Sequence, residues 1–412
     1  MKLSEDLQWR GLLHQTTFKD PADLDVPRTF YLGVDPSSDS MTIGNLAIVL
    51  LVKRLAEHGH KVIVLVGGAT GMIGDPKEDS ERSLKTEDEI EKNKRGLAAQ
   101  YTQILGDLEY EMVDNYDWFK KLDYLHFLRD VGKHFSMSEL LDRDFVKSRI
   151  GEDKVGISYA EFSYSLIQGY DYLHLHREYG ATLQIGGSDQ WGNMLSGVSL
   201  IRKLDKADAH VLTIPLVVNK STGVKFGKSE DGAVWLDEHK TSVFKFYQFW
   251  INADDEGVES YLKIYTELGK DEINDIMEAH NEARSNRLAQ KHLAIEVTTA
   301  VHGKPRAEAV RNISEVLYGG ADYSELTQAD FAELESELTT MQVDNGAELA
   351  QTLVDCGLAQ SKGEARRFLS SNAIYINGHQ LPLEKTHFDA NDFIDGYCVV
   401  RRGKNSTALI KQ

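Results

Sequence analysis

One strand–loop–helix–strand unit near the start of the chain restricts its fold more than any other stretch. Thr29, Phe30, Tyr31, Leu32 and Val34 read as a strand that breaks at Asp35-Pro36 into a loop of small hydroxylated residues. A helix begins near Gly44-Asn45, with Leu46, Val49, Leu50 and Val52 on its apolar side, and Gly59 is a natural stop. A second apolar strand, residues 61–66, runs into Gly67-Gly68-Ala69-Thr70-Gly71. Units of this kind build parallel sheets with helices packed on them, so the expected class is α/β with a Rossmann-like core. The loop brings backbone N–H groups, hydroxyls and a helix N-terminus to a place suited to an anion. Taken alone, an ordinary serine-rich connection would look the same.

With 412 residues the chain is too long for one typical core, and two or three domains are expected. The formal charge of −19 argues against indiscriminate binding to nucleic acid, which needs clustered Lys and Arg. Residues 341–412 break the pattern, with eight basic and eight acidic side chains, so all the excess acid lies upstream. Any nucleic-acid contact is therefore expected to be local, with the tail one candidate. Two cysteines, Cys356 and Cys398, allow neither a disulfide framework nor a four-cysteine metal site, and fit a reducing cytoplasm. No apolar run approaches a membrane span and the polar N-terminus is no signal peptide, so no membrane partner is expected.

Further along, residues 1–28 read as a short structural helix plus linker. Residues 75–82 read as an exposed charged loop, 86–105 as a polar-faced helix, and 110–151 as mixed pieces, most apolar at 127–135. A helix over 159–175 places Tyr164, Gln168 and Asp171 at i, i+4 and i+7, on one face. If buried, each would need a partner; the alternative is the wet face of a surface helix. A strand at 182–185 ends in Gly186-Gly187-Ser188-Asp189-Gln190, where glycines allow close approach of a ligand, or simply a tight turn. A strand over 211–218 precedes Lys225-Phe226-Gly227-Lys228-Ser229, whose lysines suit phosphate. The stretch 241–302 is helical with an aromatic core, 319–345 reads as a helix plus connector, and 348–412 reads as a small α+β unit. In that last unit Lys362, Arg366 and Arg367 on a helix, and Arg401, Arg402 and Lys404 on a distant strand, either converge on a phosphate backbone or are scattered surface charge.

Nearly end to end, the chain resembles tyrosyl-tRNA synthetases of the bacterial type. The resemblance rests on 65–71 (Leu-Val-Gly-Gly-Ala-Thr-Gly), 114–118 (Asp-Asn-Tyr-Asp-Trp), 161–164 (Glu-Phe-Ser-Tyr), 183–193 and the lysine motif at 225–229, in that order and spacing. It implies an α/β Rossmann-like catalytic domain, then a helical domain, then an S4-like RNA-binding domain. The corresponding boundaries are 1–220 with a dimer-interface insertion, 221–320 with the lysine loop and a helical domain for the anticodon arm, 321–346 as linker, and 347–412.

The same resemblance implies activation of L-tyrosine by ATP, with Mg²⁺ accompanying ATP and no tightly bound metal, then transfer to tRNA(Tyr). Tyr31 and Asp171 would meet the phenolic hydroxyl; Asp75, Tyr164 and Gln168, with Thr70 and Gln190, would hold the rest of the amino acid. Gly33, Asp35, Gly44, Asn45, Gly187 and Asp189 would line the nucleotide side. Lys225, Lys228 and Arg82 would clamp pyrophosphate, with Thr42 and Ser37 as hydroxyl donors. A cytoplasmic homodimer is also implied, with 127–137 as interface.

One departure stands out. The signature that usually reads His-Ile-Gly-His or His-Ile-Gly-Asn is here Thr42-Ile43-Gly44-Asn45, so a shorter hydroxyl replaces the first histidine. The loop from Lys77 to Arg82 is also less lysine-rich, which opens the role of Lys77. Two rivals follow: a non-catalytic RNA-binding protein on a synthetase scaffold, and adenylation of another aromatic substrate such as tryptophan.

Overall fold

The computed structural model describes residues 1–76, 84–141, 144–150, 156–223, 226, 228–229, 232–403 and 406–412, with backbone alone at 139, 144, 145, 148, 228 and 229. Two compact units result: Met1–Leu236 with Asp254–Glu278, and Asp237–Ala253 with Ala279–Gln412.

The first unit is built on a six-stranded sheet. Its strands are β1 (Gln15–Thr16), β2 (Thr29–Val34), β3 (Lys61–Val66), β4 (Tyr110–Asp114), β5 (Leu183–Gly187) and β6 (His210–Ile214), in the order β1-β6-β5-β2-β3-β4. All neighbours are parallel except β1, which runs antiparallel to β6. The run Val62 to Val66 is buried throughout, as a central parallel strand covered on both faces requires. Because β2 lies between β3 and β5, connections from it leave in opposite directions, and the crevice at its C-terminal end is the expected ligand position. The expected strand over 211–218 is shorter: it starts at His210 and stops at Ile214, since Pro215 has no N–H to give the ladder.

Helix α1 spans Leu3–Arg10, α2 Ile43–Glu57, α3 Gly68–Ile73 and α4 Glu87–Leu105. Helix α2 ends just before Gly59, whose φ of +87° is costly for other residues. Helix α4 opens on a reciprocal cap: the Thr86 hydroxyl accepts from Glu89 N–H at 3.2 Å, and the Glu89 carboxylate accepts from Thr86 N–H at 2.8 Å. The helix Tyr159–Tyr179 opens on Ser158, and its Glu161 is gripped by both terminal nitrogens of Arg149 at 2.8 and 2.9 Å. The N-terminal segment has a defined structural task. Arg10 donates to the carbonyls of Lys263 (2.8 Å) and Leu268 (2.7 Å), and Arg54 donates to that of Thr266, which satisfies the C-terminal end of the helix Val258–Tyr265. These bonds explain why 254–278 belongs with the sheet although the sequence suggests a change of domain near 220.

In the second unit, helices surround Phe246, Tyr247 and Trp250, all buried. A five-stranded sheet follows, ordered His379–Gln380, Ile374–Ile376, Tyr397–Arg402, Ser406–Lys411, Thr339–Gln342. The last of these comes from the stretch read as helix plus connector. It pairs parallel with Ser406–Lys411, and the preceding helix Gln328–Glu337 stacks Phe331 on Tyr397 with ring centroids 4.7 Å apart. Ile313, Val316, Phe331, Leu334, Val399 and Leu409 form one buried cluster. The four residues Thr-Thr-Met-Gln are too short and polar a run to announce a strand; the partner strand supplies the order.

Candidate active site

At the C-terminal ends of β2 and β5 lies a cavity of about 610 Å³. Strand β2 and its loop supply Tyr31, Gly33, Asp35 and Ser37; the start of α2 supplies Thr42, Gly44 and Asn45. Helix α3 and the residues just after it bring Thr70 and Asp75, and the helix Tyr159–Tyr179 brings Tyr164, Gln168 and Asp171. The end of β5 adds Gly187, Asp189 and Gln190, and Phe226 closes one side. The polar helical face is therefore a cavity wall and not a wet surface. Lys77, Arg82 and Lys225 lie outside the described residues, as does the side chain of Lys228.

The inner end is prepared for a hydroxyl. Tyr31 is 0 % exposed, its ring edge-on to Tyr172, and its OH has no hydrogen-bond partner among the described residues. Burial first, and the nearby Asp171 second, push its phenol well above the ordinary range, so it stays a neutral donor. Asp171 is 1 % exposed and held on both oxygens, by Trp118 Nε1 at 2.9 Å and Asn115 Nδ2 at 3.1 Å. Burial raises its carboxyl to about 8, against the lowering effect of those two donors. Asn115 is itself fixed, since its Oδ1 accepts from the Ala69 N–H at 2.7 Å. The side-chain oxygens of Gln168 and Gln184 also line the cavity, buried and without a partner among the described residues. Buried polar atoms left this way are costly unless a ligand meets them.

A second network fixes the acids nearer the mouth. Asp35 accepts from the Thr70 hydroxyl and from the Tyr164 OH, each at 2.7 Å. Gly67 makes the first bond possible, because a Cβ there would sit 2.2 Å from the Thr70 hydroxyl and 2.3 Å from Asp35. Asp75 accepts from Gln190 Nε2 at 2.8 Å and Asn193 Nδ2 at 3.3 Å. Two carboxylates with orienting donors, facing one cavity, suit an ammonium group.

At the start of α2, Thr42 lines the cavity and is bonded to Asn45. Its hydroxyl donates to Asn45 Oδ1 at 3.0 Å, and its N–H donates to the same oxygen at 3.0 Å. The hydroxyl expected to serve phosphate is engaged in the helix cap. Asn115, Trp118, Gln184 and Asn193 are functional neighbours to which the sequence alone assigns no role. Their motifs are visible there, but not the bonds that tie them to Asp171 and Asp75.

In the C-terminal sheet, Arg367 and Arg402 lie over the same ring, Phe368, at 5.5 and 5.2 Å from its centroid, so helix and strand charges do meet. Arg401 lies 4.5 Å over Tyr375. Arg402 is also committed to the Leu358 carbonyl and Ser406, while Lys362 and Arg366 share Glu348. Lys404 lies outside the described residues. Among the described residues no group of three or more His, Cys, Asp or Glu is placed to hold a metal ion, and no helix is long and apolar enough to cross a membrane.

Comparison with known proteins agrees with this geometry. Residues 25–319 match the family model of tRNA synthetases class I (W and Y), and residues 330–410 match the tyrosine–tRNA ligase SYY-like C-terminal domain. The tyrosine–tRNA ligase of Lactococcus lactis subsp. lactis is 44% identical over 423 aligned residues, covering 100% of both chains. Tyrosine–tRNA ligase 1 of Photorhabdus laumondii is 43% identical, over 99% of this chain and 98% of the relative. Among solved structures, a C-terminally truncated mitochondrial tyrosyl-tRNA synthetase of Aspergillus nidulans superposes with a TM-score of 0.68 at 31% identity, covering 77% of this chain and 94% of that one. The chain belongs to the class I tRNA synthetases of the W and Y family, among the tyrosine–tRNA ligases.

Proposed function

We propose that this class I synthetase joins L-tyrosine to tRNA(Tyr) in two steps within the cavity at β2 and β5. The observation that carries the reading is the buried Tyr31 hydroxyl, unpartnered among the described residues, beside an Asp171 fixed by Asn115 and Trp118. A phenolic hydroxyl entering there accepts from Tyr31 and donates to Asp171. Phenylalanine would leave both groups buried and unpaired, and discrimination between these two amino acids by tyrosyl synthetases is a standard example of that effect. Asp75, Tyr164 and Gln168, with Thr70 and Gln190 behind them, hold the α-ammonium.

Activation needs no side-chain nucleophile. A carboxylate oxygen of tyrosine attacks the α-phosphorus of ATP, which arrives with Mg²⁺; the bond to the β-phosphate oxygen breaks and pyrophosphate leaves. Gly33, Asp35, Gly44, Gly187 and Asp189 shape the nucleotide side, and Ser37, Thr42 and Asn45 contribute at the start of α2. Lys225, Lys228 and Arg82 neutralise charge that develops on the phosphates. A hydroxyl of the terminal adenosine of tRNA then attacks the tyrosyl carbonyl and AMP departs.

Residues 1–220 carry the chemistry in this reading. Residues 221–320 supply the lysine loop and a helical surface for the anticodon arm, and 347–412, joined through 321–346, supply Lys362, Arg366, Arg367, Arg401, Arg402 and Lys404 to RNA phosphates. The protein works as a cytoplasmic homodimer. Phe127 packs edge-on to Tyr170, and Phe135 lies 3.0 Å from where a Cβ on Gly169 would be. These rings are committed inside the unit, so the outward apolar residues Tyr124, Leu125, Met137 and Tyr159 are better candidates for the interface than 127–137 as a whole.

Replacing Tyr31 by Phe tests the reading. The change removes one hydrogen bond to the substrate and weakens tyrosine about tenfold, about 1.4 kcal/mol, while leaving phenylalanine binding unchanged. Equal effects on both amino acids in a calorimetric titration would refute the assignment. The Thr42 hydroxyl is engaged by Asn45, which is the one observation favouring a scaffold without catalysis; the polar lining of the cavity, from Tyr31 and Asp171 to Asp75 and Gln190, favours the enzyme.

A further inference from the structure

We infer that Gln100 is a positioning residue for the nucleotide side of the cavity, an inference that rests on the activation step proposed above. Gln100 lies on α4 and is 8 % exposed, and Asn93 on the same helix is 7 % exposed. The other buried residues of that helix are Ile90, Leu97, Tyr101, Ile104 and Leu105. Asn93, Gly96 and Gln100 stand at i, i+3 and i+7, so one stripe of the helix presents all three. That stripe meets the connection between β2 and α2, where Ser37 lines the cavity and Thr42 and Asn45 follow.

The two amides hold this connection on either side of Ser37. Asn93 Nδ2 donates to the Pro36 carbonyl at 2.8 Å. Two turns further along α4, Gln100 Oε1 accepts from the Met41 N–H at 2.7 Å, and Gln100 Nε2 donates to the Ser40 hydroxyl at 2.9 Å. The Ser40 hydroxyl donates in turn to the Met41 carbonyl at 3.0 Å, and the Leu236 N–H reaches the same carbonyl at 2.9 Å. Between the amides the helix meets the connection backbone to backbone: a Cβ on Gly96 would lie 2.0 Å from the Asp39 carbonyl oxygen. Glycine is unfavourable inside a helix, and this close approach accounts for it. Lys92 and Asp39 add an ion pair at 2.9 Å, but Lys92 is largely in solvent and the pair contributes little.

Apolar residues alone would pack α4 against the sheet. The amides do something further, because they meet the backbone and a hydroxyl of the one connection that carries Ser37 into the cavity. A hydroxyl that serves phosphate is worth most when its backbone is already in place. Freedom lost on folding is then not lost again on the way to the transition state. Tyrosine recognition rests on other residues, Tyr31 and Asp171 among them. Removing the Gln100 contacts should therefore impair the use of ATP while leaving tyrosine affinity intact.

The experiment compares Gln100→Met, Ser37→Ala and their combination in the full chain. Calorimetry gives tyrosine affinity, and tyrosine-dependent pyrophosphate exchange gives kcat/KM for ATP. Gln100→Met keeps the length of the side chain and takes the acceptor away from the buried Met41 N–H. It should lower kcat/KM for ATP about tenfold, with less than about a twofold change in tyrosine affinity. In the Ser37→Ala background the same change should cost less than about threefold, because the hydroxyl being positioned is gone. Ser40→Ala removes the partner of Gln100 Nε2 from the other side, and should show the same split at smaller size if Gln100→Met folds poorly. Unchanged use of ATP, tyrosine affinity falling in step with the rate, or a loss above about threefold in the Ser37→Ala background would mean a purely structural role and overturn the inference. Absence of exchange in the unaltered protein would instead overturn the proposed activity, and with it this role for Gln100.

Discussion

Asn45 accepts two hydrogen bonds on one oxygen, from the amide and the hydroxyl of Thr42. Because a backbone N–H can only donate, the atom it meets must be the oxygen, which leaves the –NH₂ of Asn45 as the group with donors to offer at the start of α2. In this geometry the Thr42 hydroxyl orients that donor. Thr42→Val keeps the size and removes the hydroxyl; it should slow pyrophosphate exchange about fivefold, the worth of one hydrogen bond, without changing tyrosine affinity. Thr42→His should alter the dependence on ATP concentration, and no change in the activation step would count against a role for this position. Asp171 gives a second residue-level expectation. Its carboxyl is raised to about 8, chiefly by burial, and a phenolic donor arriving on it favours the charged form. Tyrosine binding then releases a proton below pH 8, so affinity should rise from pH 6 to pH 8 and flatten above, and Asp171→Asn should abolish the slope. The same shift bears on stability. The native state holds this proton more tightly than the unfolded chain, so the contribution is full below about pH 4, near the ordinary Asp value, and is lost as pH rises through about 8. A tyrosine titration across that range, paired with thermal melts, reads both.

At the scale of elements, β2, β3 and α2 are legible in the sequence because strand period, Gly59 and the broken loop all point the same way. Side chains at i, i+4 and i+7 likewise place Tyr164, Gln168 and Asp171 on one face without knowledge of what the face meets. Two kinds of feature stay hidden. The strand Thr339–Gln342 owes its existence to a partner more than sixty residues away, a pairing that local pattern does not contain. The bonds from Asn115 and Trp118 to Asp171 join elements that only the folded sheet brings together. The helix Tyr159–Tyr179 depends on a similar distant contact, the Arg149–Glu161 pair, whose side chains are 2 % and 3 % exposed. Removing one member leaves a buried charge unpaired, so Arg149→Met should destabilise the first unit by about 3–5 kcal/mol in urea unfolding. Tyrosine affinity should fall with it, because that helix carries three of the groups proposed to hold the amino acid. An unchanged midpoint would show that the pair does not hold the helix.

For the whole molecule, the net charge of −19 keeps nucleic-acid contact local, and the neutral C-terminal stretch with Arg367 and Arg402 around Phe368 is where we place part of it. Tyr124, Leu125, Met137 and Tyr159 are each exposed, and an apolar partner surface would cover them. If that cover is a second copy, Leu125→Asp should shift the protein toward monomer in sedimentation, and an unchanged dimer would move the interface elsewhere. The central claim is that one cavity activates tyrosine, and it is tested most directly by exchange of labelled pyrophosphate into ATP without tRNA. Tyrosine should support exchange, and phenylalanine and tryptophan should not. No exchange from folded protein that binds tyrosine would contradict the account and leave a synthetase fold used only for binding.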